Sequence, residues 1–163
     1  MERVPLVCFT PKRYLRMRHT RSSREQLTNG RFETVLDDRA SLDRDEVSRI
    51  LLCTGKVAHE LMDERDAQKQ PVAVVRIEQL YPWPESSLRT ALARYPNARE
   101  VVWVQEEPEN MGAWSFVRDR IAALLDDDVA FRHIARPASA SPASGSAKVH
   151  DQEQRDLLRT AIT

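Results

Sequence analysis

The chain has 163 residues and a formal net charge of zero, with 25 Lys and Arg against 25 Asp and Glu. That balance gives no support to a nucleic-acid binder driven by overall charge. Hydrophobic residues reach 41% and charged residues 31%, enough for one core and one domain over residues 1–163.

No apolar stretch is long enough to span a membrane. Met1 is followed by charge and then by the short run Val4–Phe9, which lacks the length and cleavage site of a secretory signal. The expected setting is therefore the cytoplasm, with no membrane partner. Cys8 and Cys53 each sit inside an apolar run and read as buried free thiols rather than a disulfide.

Taken in chain order, Val4–Phe9 reads as a first buried strand, ended by Thr10-Pro11. A cationic block follows: Lys12, Arg13, Arg16, Arg18, His19, Arg21 and Arg24. Such a block after a strand suits an anionic group such as a nucleotide or CoA phosphate; the plain alternative is a solvated surface or salt bridges to a partner domain. Ser22 with Glu25, and Ser23 with Gln26, both have capping-box spacing. Asn29-Gly30 marks a turn, and Asp37–Asp45 reads as an acidic surface loop.

Ile50–Gly55 reads as a second strand, followed by a helix with Val57, Ala58, Leu61 and Met62 on one face. Val72–Ile77 is a third strand, stopped by Tyr81-Pro82-Trp83-Pro84. Leu88, Leu92 and Tyr95 give another helical face. Val101–Val104 is a fourth strand, ended by Glu106-Glu107-Pro108. Trp114, Val117, Ile121, Leu124 and Leu125 form a strong helical stripe, and Phe131–Ile134 a short fifth strand. Pro137–Gly145 is rich in Ser, Ala and Pro, and a last helix spans about His150 to Ala161. Short apolar strands alternating with helices predict an α/β fold with a mainly parallel five-stranded sheet covered by helices on both faces.

Enzyme signatures are few. There is no glycine-rich nucleotide loop, nucleophile elbow, zinc-protease motif or C-x-x-C pair, so no catalytic or metal-binding residue is assigned. Glu106 and Glu107 stand at a strand's C-terminal end, where open α/β sheets bind ligands. A carboxylate pair there could do acid–base work; the plain alternative is a solvated turn or an interface. Trp103 reads as core, whereas Trp83 and Trp114, at element boundaries, suit either core packing or a subunit contact. His59 reads as a surface or helix-packing residue.

Several runs together carry a resemblance. Pro5–Lys12, Leu52–Val57, Val74–Pro84, Trp103–Trp114, Arg136–Ala143 and Lys148–His150 follow the order of motifs in the C-terminal domain of the E1 component of 2-oxoglutarate dehydrogenase, and the chain resembles that domain over nearly its whole length. The resemblance implies a transketolase-type C-terminal α/β domain that is structural and supports the homodimer. The alternative is an effector-binding module for acetyl-CoA or a nucleotide. It further implies that thiamine diphosphate and magnesium belong to the preceding domains of the full enzyme, so that none is bound by this chain alone. The implied partners are the remaining E1 domains, a second subunit and a lipoyl E2, in an enzyme that oxidatively decarboxylates 2-oxoglutarate in the tricarboxylic acid cycle. The Ser/Ala/Pro segment becomes an ordered motif. Because Met1-Glu2-Arg3 alone stands before the first apolar run in this sequence, a fragment, a split gene or a separately encoded domain is expected.

One branch, the bacterial multifunctional 2-oxoglutarate decarboxylase/dehydrogenase, binds acetyl-CoA partly on this domain. The resemblance carries Arg31 over as a basic contact, Thr34 as a hydroxyl contact and Gln79 as the glutamine of the Val75–Gln79 motif. Ser86 and Ser87 stand where that branch has two arginines. Two missing guanidinium groups remove phosphate contacts, so weak acetyl-CoA binding or none is implied.

Overall fold

The computed structural model describes Pro5, Val7, Phe9, Lys12, Tyr14–Arg16 and residues 20–163. The chain divides into two compact units, one ending at Phe32 and one spanning Glu33–Thr163. Within the first, a 3-10 turn covers Tyr14–Arg16 and a short helix α1 covers Arg24–Thr28. Of the two capping boxes the sequence offers, the one formed is Ser23 with Gln26: Gln26 N–H donates to Ser23 Oγ at 3.2 Å, and Ser23 N–H to Gln26 Oε1 at 2.8 Å. The strand expected over Val4–Phe9 lies largely outside the described residues; Pro5, Val7 and Phe9 are described and carry no regular structure. Cys8, Arg13, Arg18 and His19 also lie outside them, and the described Lys12, Arg21 and Arg24 are exposed.

The second unit is built on five strands: β1 (Val35–Leu36), β2 (Arg49–Cys53), β3 (Val72–Ile77), β4 (Glu100–Pro108) and β5 (Ala130–Arg136). Their order is β1-β3-β2-β4-β5. β1 runs antiparallel to β3, and every other pair is parallel. Four helices join or follow the strands: α2 (Val57–Gln68), α3 (Glu85–Leu92), α4 (Trp114–Ala122) and α5 (Ala147–Ile162). The central strands are apolar at successive positions because both faces are covered. Ile50, Leu52, Ala73, Val75 and Trp103 face one way, against Leu88 and Ala91 of α3 and Val117 and Ile121 of α4. Leu51, Val74, Val102 and Val104 face the other way, against Val57 and Leu61 of α2 and Leu157 and Ala161 of α5. Cys53 is a fully buried free thiol, and burial pushes its pKa up to about 12.

One strand is unforeseen and two sequence expectations change here. β1 is a strand of two residues between polar neighbours, too short to show a period. β4 runs to Pro108, so Glu106 and Glu107 belong to the strand, which changes register between Val104 and Pro108, rather than ending it. The segment Asp37–Asp45 is not simply a solvated loop. Asp38 is buried and paired with the buried Arg65 of α2, and Asp37 accepts from Arg44, Arg94 and Tyr95 at 2.8, 2.8 and 2.6 Å. The Pro137–Gly145 segment is tied down by Asn110, whose side chain donates to Ser139 O at 2.9 Å and accepts from Ser139 N at 3.0 Å.

Two carboxylates link this architecture to pH. Burial alone would raise the pKa of Asp37, but the bonds from Tyr95, Arg94 and Arg44 outweigh it and hold it below its ordinary value. Glu100 is likewise lowered, burial being outweighed by Arg132 and Arg49. A carboxylate with a lowered folded-state pKa stabilises the fold fully above its unfolded value. That stability is lost as pH falls through the folded value. Urea midpoints should therefore fall below about pH 4, and an Asp37→Asn, Glu100→Gln double variant should show a shallower loss. Equal losses in both proteins between pH 6 and pH 3 would contradict the pairing.

Candidate functional site: the C-terminal rim of the sheet

From β2 the chain crosses to β3 on one side, then returns to β4 on the other. The crevice between the C-terminal ends of β2 and β4 is therefore the switch point where open α/β sheets take ligands. Gly55, at φ 68°, turns the chain out of β2 and places Lys56 at the start of α2. The Lys56 ammonium is bonded to the carboxylate of Glu106 on β4, so an ion pair spans the crevice. Glu60 lies 4.0 Å from the same ammonium. Glu60 also accepts from Gln154 of α5 at 2.6 Å, and Gln154 accepts from Arg136 of β5 at 2.7 Å. A continuous polar chain thus runs from the rim to the last helix.

Glu107 goes elsewhere. It lines an open groove of about 450 Å³ with Thr54, Leu80, Tyr81, Gly112, Ala113 and Phe116. The two adjacent glutamates therefore lie in different surroundings. Tyr81 is 83% exposed beside this groove. Trp83 packs edge-on against Phe116, with centroids 6.3 Å apart, and Arg120 lies 3.9 Å over the Phe116 ring. Trp114 stacks on His133 at 4.2 Å. Both tryptophans are half-buried and packed against the core, whereas Trp103 is wholly core. His59 is half-buried on α2, its Nε2 3.1 Å from Arg76 Nη1.

Among the described residues, no three His, Cys, Asp or Glu side chains group to hold a metal. No helix among the described residues is long and apolar enough to cross a membrane.

Residues 21–162 match the family described as 2-oxoglutarate dehydrogenase C-terminal. The chain belongs to that family. It is similar to proteins named 2-oxoglutarate dehydrogenase E1 component in three bacteria. With that of Cupriavidus necator it is 42% identical over 161 residues, covering 98% of this chain and 17% of the relative. With that of Azotobacter vinelandii it is 44% identical over 165 residues, covering 99% and 18%. With that of Haemophilus influenzae it is 40% identical over 162 residues, covering 99% and 17%. The chain thus spans less than a fifth of the length of the curated relatives it matches.

Of the residues carried over by resemblance, the structure brings Thr34, Gln79 and Ser87 next to one another. Thr34 Oγ1 donates to Ser87 Oγ at 3.1 Å, and Gln79 N–H donates to Thr34 O at 3.2 Å. The Gln79 side chain donates to Pro82 O at 2.7 Å. Ser86 is exposed on α3 next to Ser87, its carbonyl accepting from Thr90 at 2.8 Å. Arg31 is exposed and belongs to the first unit. Two residues that define the rim, Lys56 and the buried Gln105, are missed by the sequence reading. Gln105 follows Trp103 by two positions on an apolar strand. A polar residue at an inward position was the available cue.

Proposed function

We propose that this chain is the structural and dimerisation domain at the C-terminus of a thiamine-diphosphate-dependent 2-oxoglutarate dehydrogenase E1, in the cytoplasm. The full enzyme carries out oxidative decarboxylation of 2-oxoglutarate as a homodimer that hands its product to a lipoyl E2. The rim of the sheet is the surface on which the second E1 chain of the dimer packs. The observation that carries this reading is the rim itself, in a domain of this family. Its crevice is spanned by the Lys56–Glu106 pair, and the adjoining groove presents the exposed Tyr81 and the half-buried Phe116. Aromatic side chains of this kind are enriched as interface anchors.

The described residues do not fit a magnesium–diphosphate group. The ammonium at the crevice is bonded to a carboxylate, and the described acidic side chains do not assemble a metal-binding set. No catalytic step is assigned to this chain through that cofactor. The effector-module alternative is less well supported, because the hydroxyls of Thr34 and Ser87 bond each other and the Gln79 amide bonds a neighbouring carbonyl.

The test is a chimaera in which residues 1–163 replace the matching final segment of the Cupriavidus necator E1 component. The chimaera should assemble as a dimer and turn over 2-oxoglutarate, while the chain alone, given thiamine diphosphate and Mg²⁺, should not. Turnover by the chain alone, or a folded chimaera that stays monomeric, would overturn the proposal.

A further inference from the structure

Gln105 is 2% exposed, and it lies on β4 two positions beyond Trp103. Its carboxamide oxygen accepts from Trp103 Nε1 at 3.0 Å and from Trp114 N–H at 3.0 Å. Its nitrogen donates to Pro108 O at 3.0 Å and to Met111 O at 2.8 Å, with Glu107 O at the longer distance of 3.5 Å. Those four bonds use both acceptor positions and both donors of a primary amide. One side chain therefore ties together the middle of β4, the turn that leaves it and the first residue of α4. The turn is also bonded to itself, Met111 N–H donating to Pro108 O at 2.8 Å.

What this amide holds is the wall of the rim groove. Of its lining residues, Glu107 stands between Gln105 and Pro108, its own carbonyl 3.5 Å from the amide nitrogen, and Gly112 and Ala113 follow Met111. The fit is close. Gly112 has φ 67°, and a Cβ there would stand 3.0 Å from both polar atoms of the Gln105 side chain. Any side chain at 112 would press on the amide and also adopt a backbone conformation that favours glycine. The groove wall is thus set by a buried amide lying behind it.

We propose that Gln105 is a positioning residue, which fixes the Glu107–Ala113 wall of the rim groove and thereby the fit of this domain to the chain that packs on it. This rests on the reading of the rim as a docking surface. A leucine at 105 would keep much of the volume and lose all four bonds. A glutamate would keep the shape and both acceptors and lose both donations to the turn. Trp103→Phe removes one of the same buried bonds and loosens the core, but leaves the turn bonds in place, so it separates general destabilisation from positioning.

The test uses Gln105→Glu, Gln105→Leu and Trp103→Phe, in the chain and in the chimaera. Two quantities are read at a temperature where circular dichroism shows each protein folded: amide hydrogen exchange at Met111 and Trp114, and the concentration at which chimaera subunits dissociate. Both Gln105 variants should raise exchange at Met111 at least tenfold and raise the dissociation concentration at least tenfold; exchange at Trp114, whose N–H keeps an acceptor in Gln105→Glu, should rise only in Gln105→Leu. Trp103→Phe should leave both near the unsubstituted values. If Gln105→Leu does not fold, Gln105→Glu decides. Unchanged exchange in the Gln105 variants overturns the proposal, as does faster exchange with unchanged assembly, or an equal effect from Trp103→Phe. Failure of the unsubstituted chimaera to assemble would instead refute the docking surface, leaving exchange in the chain to judge the positioning of the turn.

Discussion

Replacing Asp38 by alanine is expected to destabilise the fold by about 3–5 kcal/mol, the range for breaking a buried ion pair from one side. The Asp38 and Arg65 side chains are only 1% and 3% exposed. The carboxylate also accepts from Val74 N–H at 2.7 Å and from Ala40 N–H at 2.9 Å. Alanine therefore leaves a guanidinium and a strand N–H buried with fewer partners; the remaining carboxylate on Arg65, that of Asp66, is 67% exposed and held in the solvent. An Asp38→Leu, Arg65→Met double variant should recover most of the loss, since a buried pair stabilises little over an apolar replacement. Glu85→Ala is the contrast. Its pair with Arg89 is 61% and 58% exposed, and its removal should shift stability by less than about 0.5 kcal/mol. Urea unfolding followed by far-ultraviolet circular dichroism measures all three. A cost below about 1 kcal/mol for Asp38→Ala would mean that the carboxylate is not buried against Arg65.

This pair also marks the limit of what a local sequence pattern conveys. Asp37–Asp45 is charged and has no helical or strand period, so it reads as solvated. Its position in the fold is decided by Arg65, Val74 and Tyr95, far along the chain. β1 escapes for the same reason: Val35 and Leu36 become a strand only because Ile77 and Arg76 offer a free edge. By contrast β2, β3 and the first part of β4 are legible because covering a strand on both faces requires consecutive apolar residues. The helices α2, α3 and α4 are legible from their apolar spacing, and their assignment to two layers follows from the sheet order.

The site was legible to a different degree. The C-terminal ends of the strands are the right place to look by topology alone, and Glu106 and Glu107 were visible there. Their separation was not, because it depends on Lys56 reaching across the switch point and on the turn that Gln105 holds. The shortfall of arginine at Ser86 and Ser87 could be read from the residues. That Thr34 and Ser87 would bond each other could not, since 53 positions separate them.

Trp103→Ala should cost about 3–5 kcal/mol, as for other truncations of large buried aromatics. Trp103 is 0% exposed at the centre of β4, paired with Leu52 on one side and His133 on the other. It lies in the same cluster as Leu88, Val117 and Ile121, so it supports α3 and α4 together. A void there has strands on one side and two helices on the other, and close-packed elements of that kind collapse only in part. The lost indole N–H bond to Gln105 adds little, because Trp114 N–H still donates to the same oxygen. Trp103→Phe keeps most of the buried area and should cost about 1–2 kcal/mol, mainly from the missing ring atoms. Against the 5–15 kcal/mol typical of a domain, the alanine variant should lose a large part of its urea midpoint and the phenylalanine variant a small one. Near-equal midpoints for the two would show that the hydrogen bond matters more than packing. A cost under about 2 kcal/mol for alanine would show that the α3/α4 layer can close over the gap.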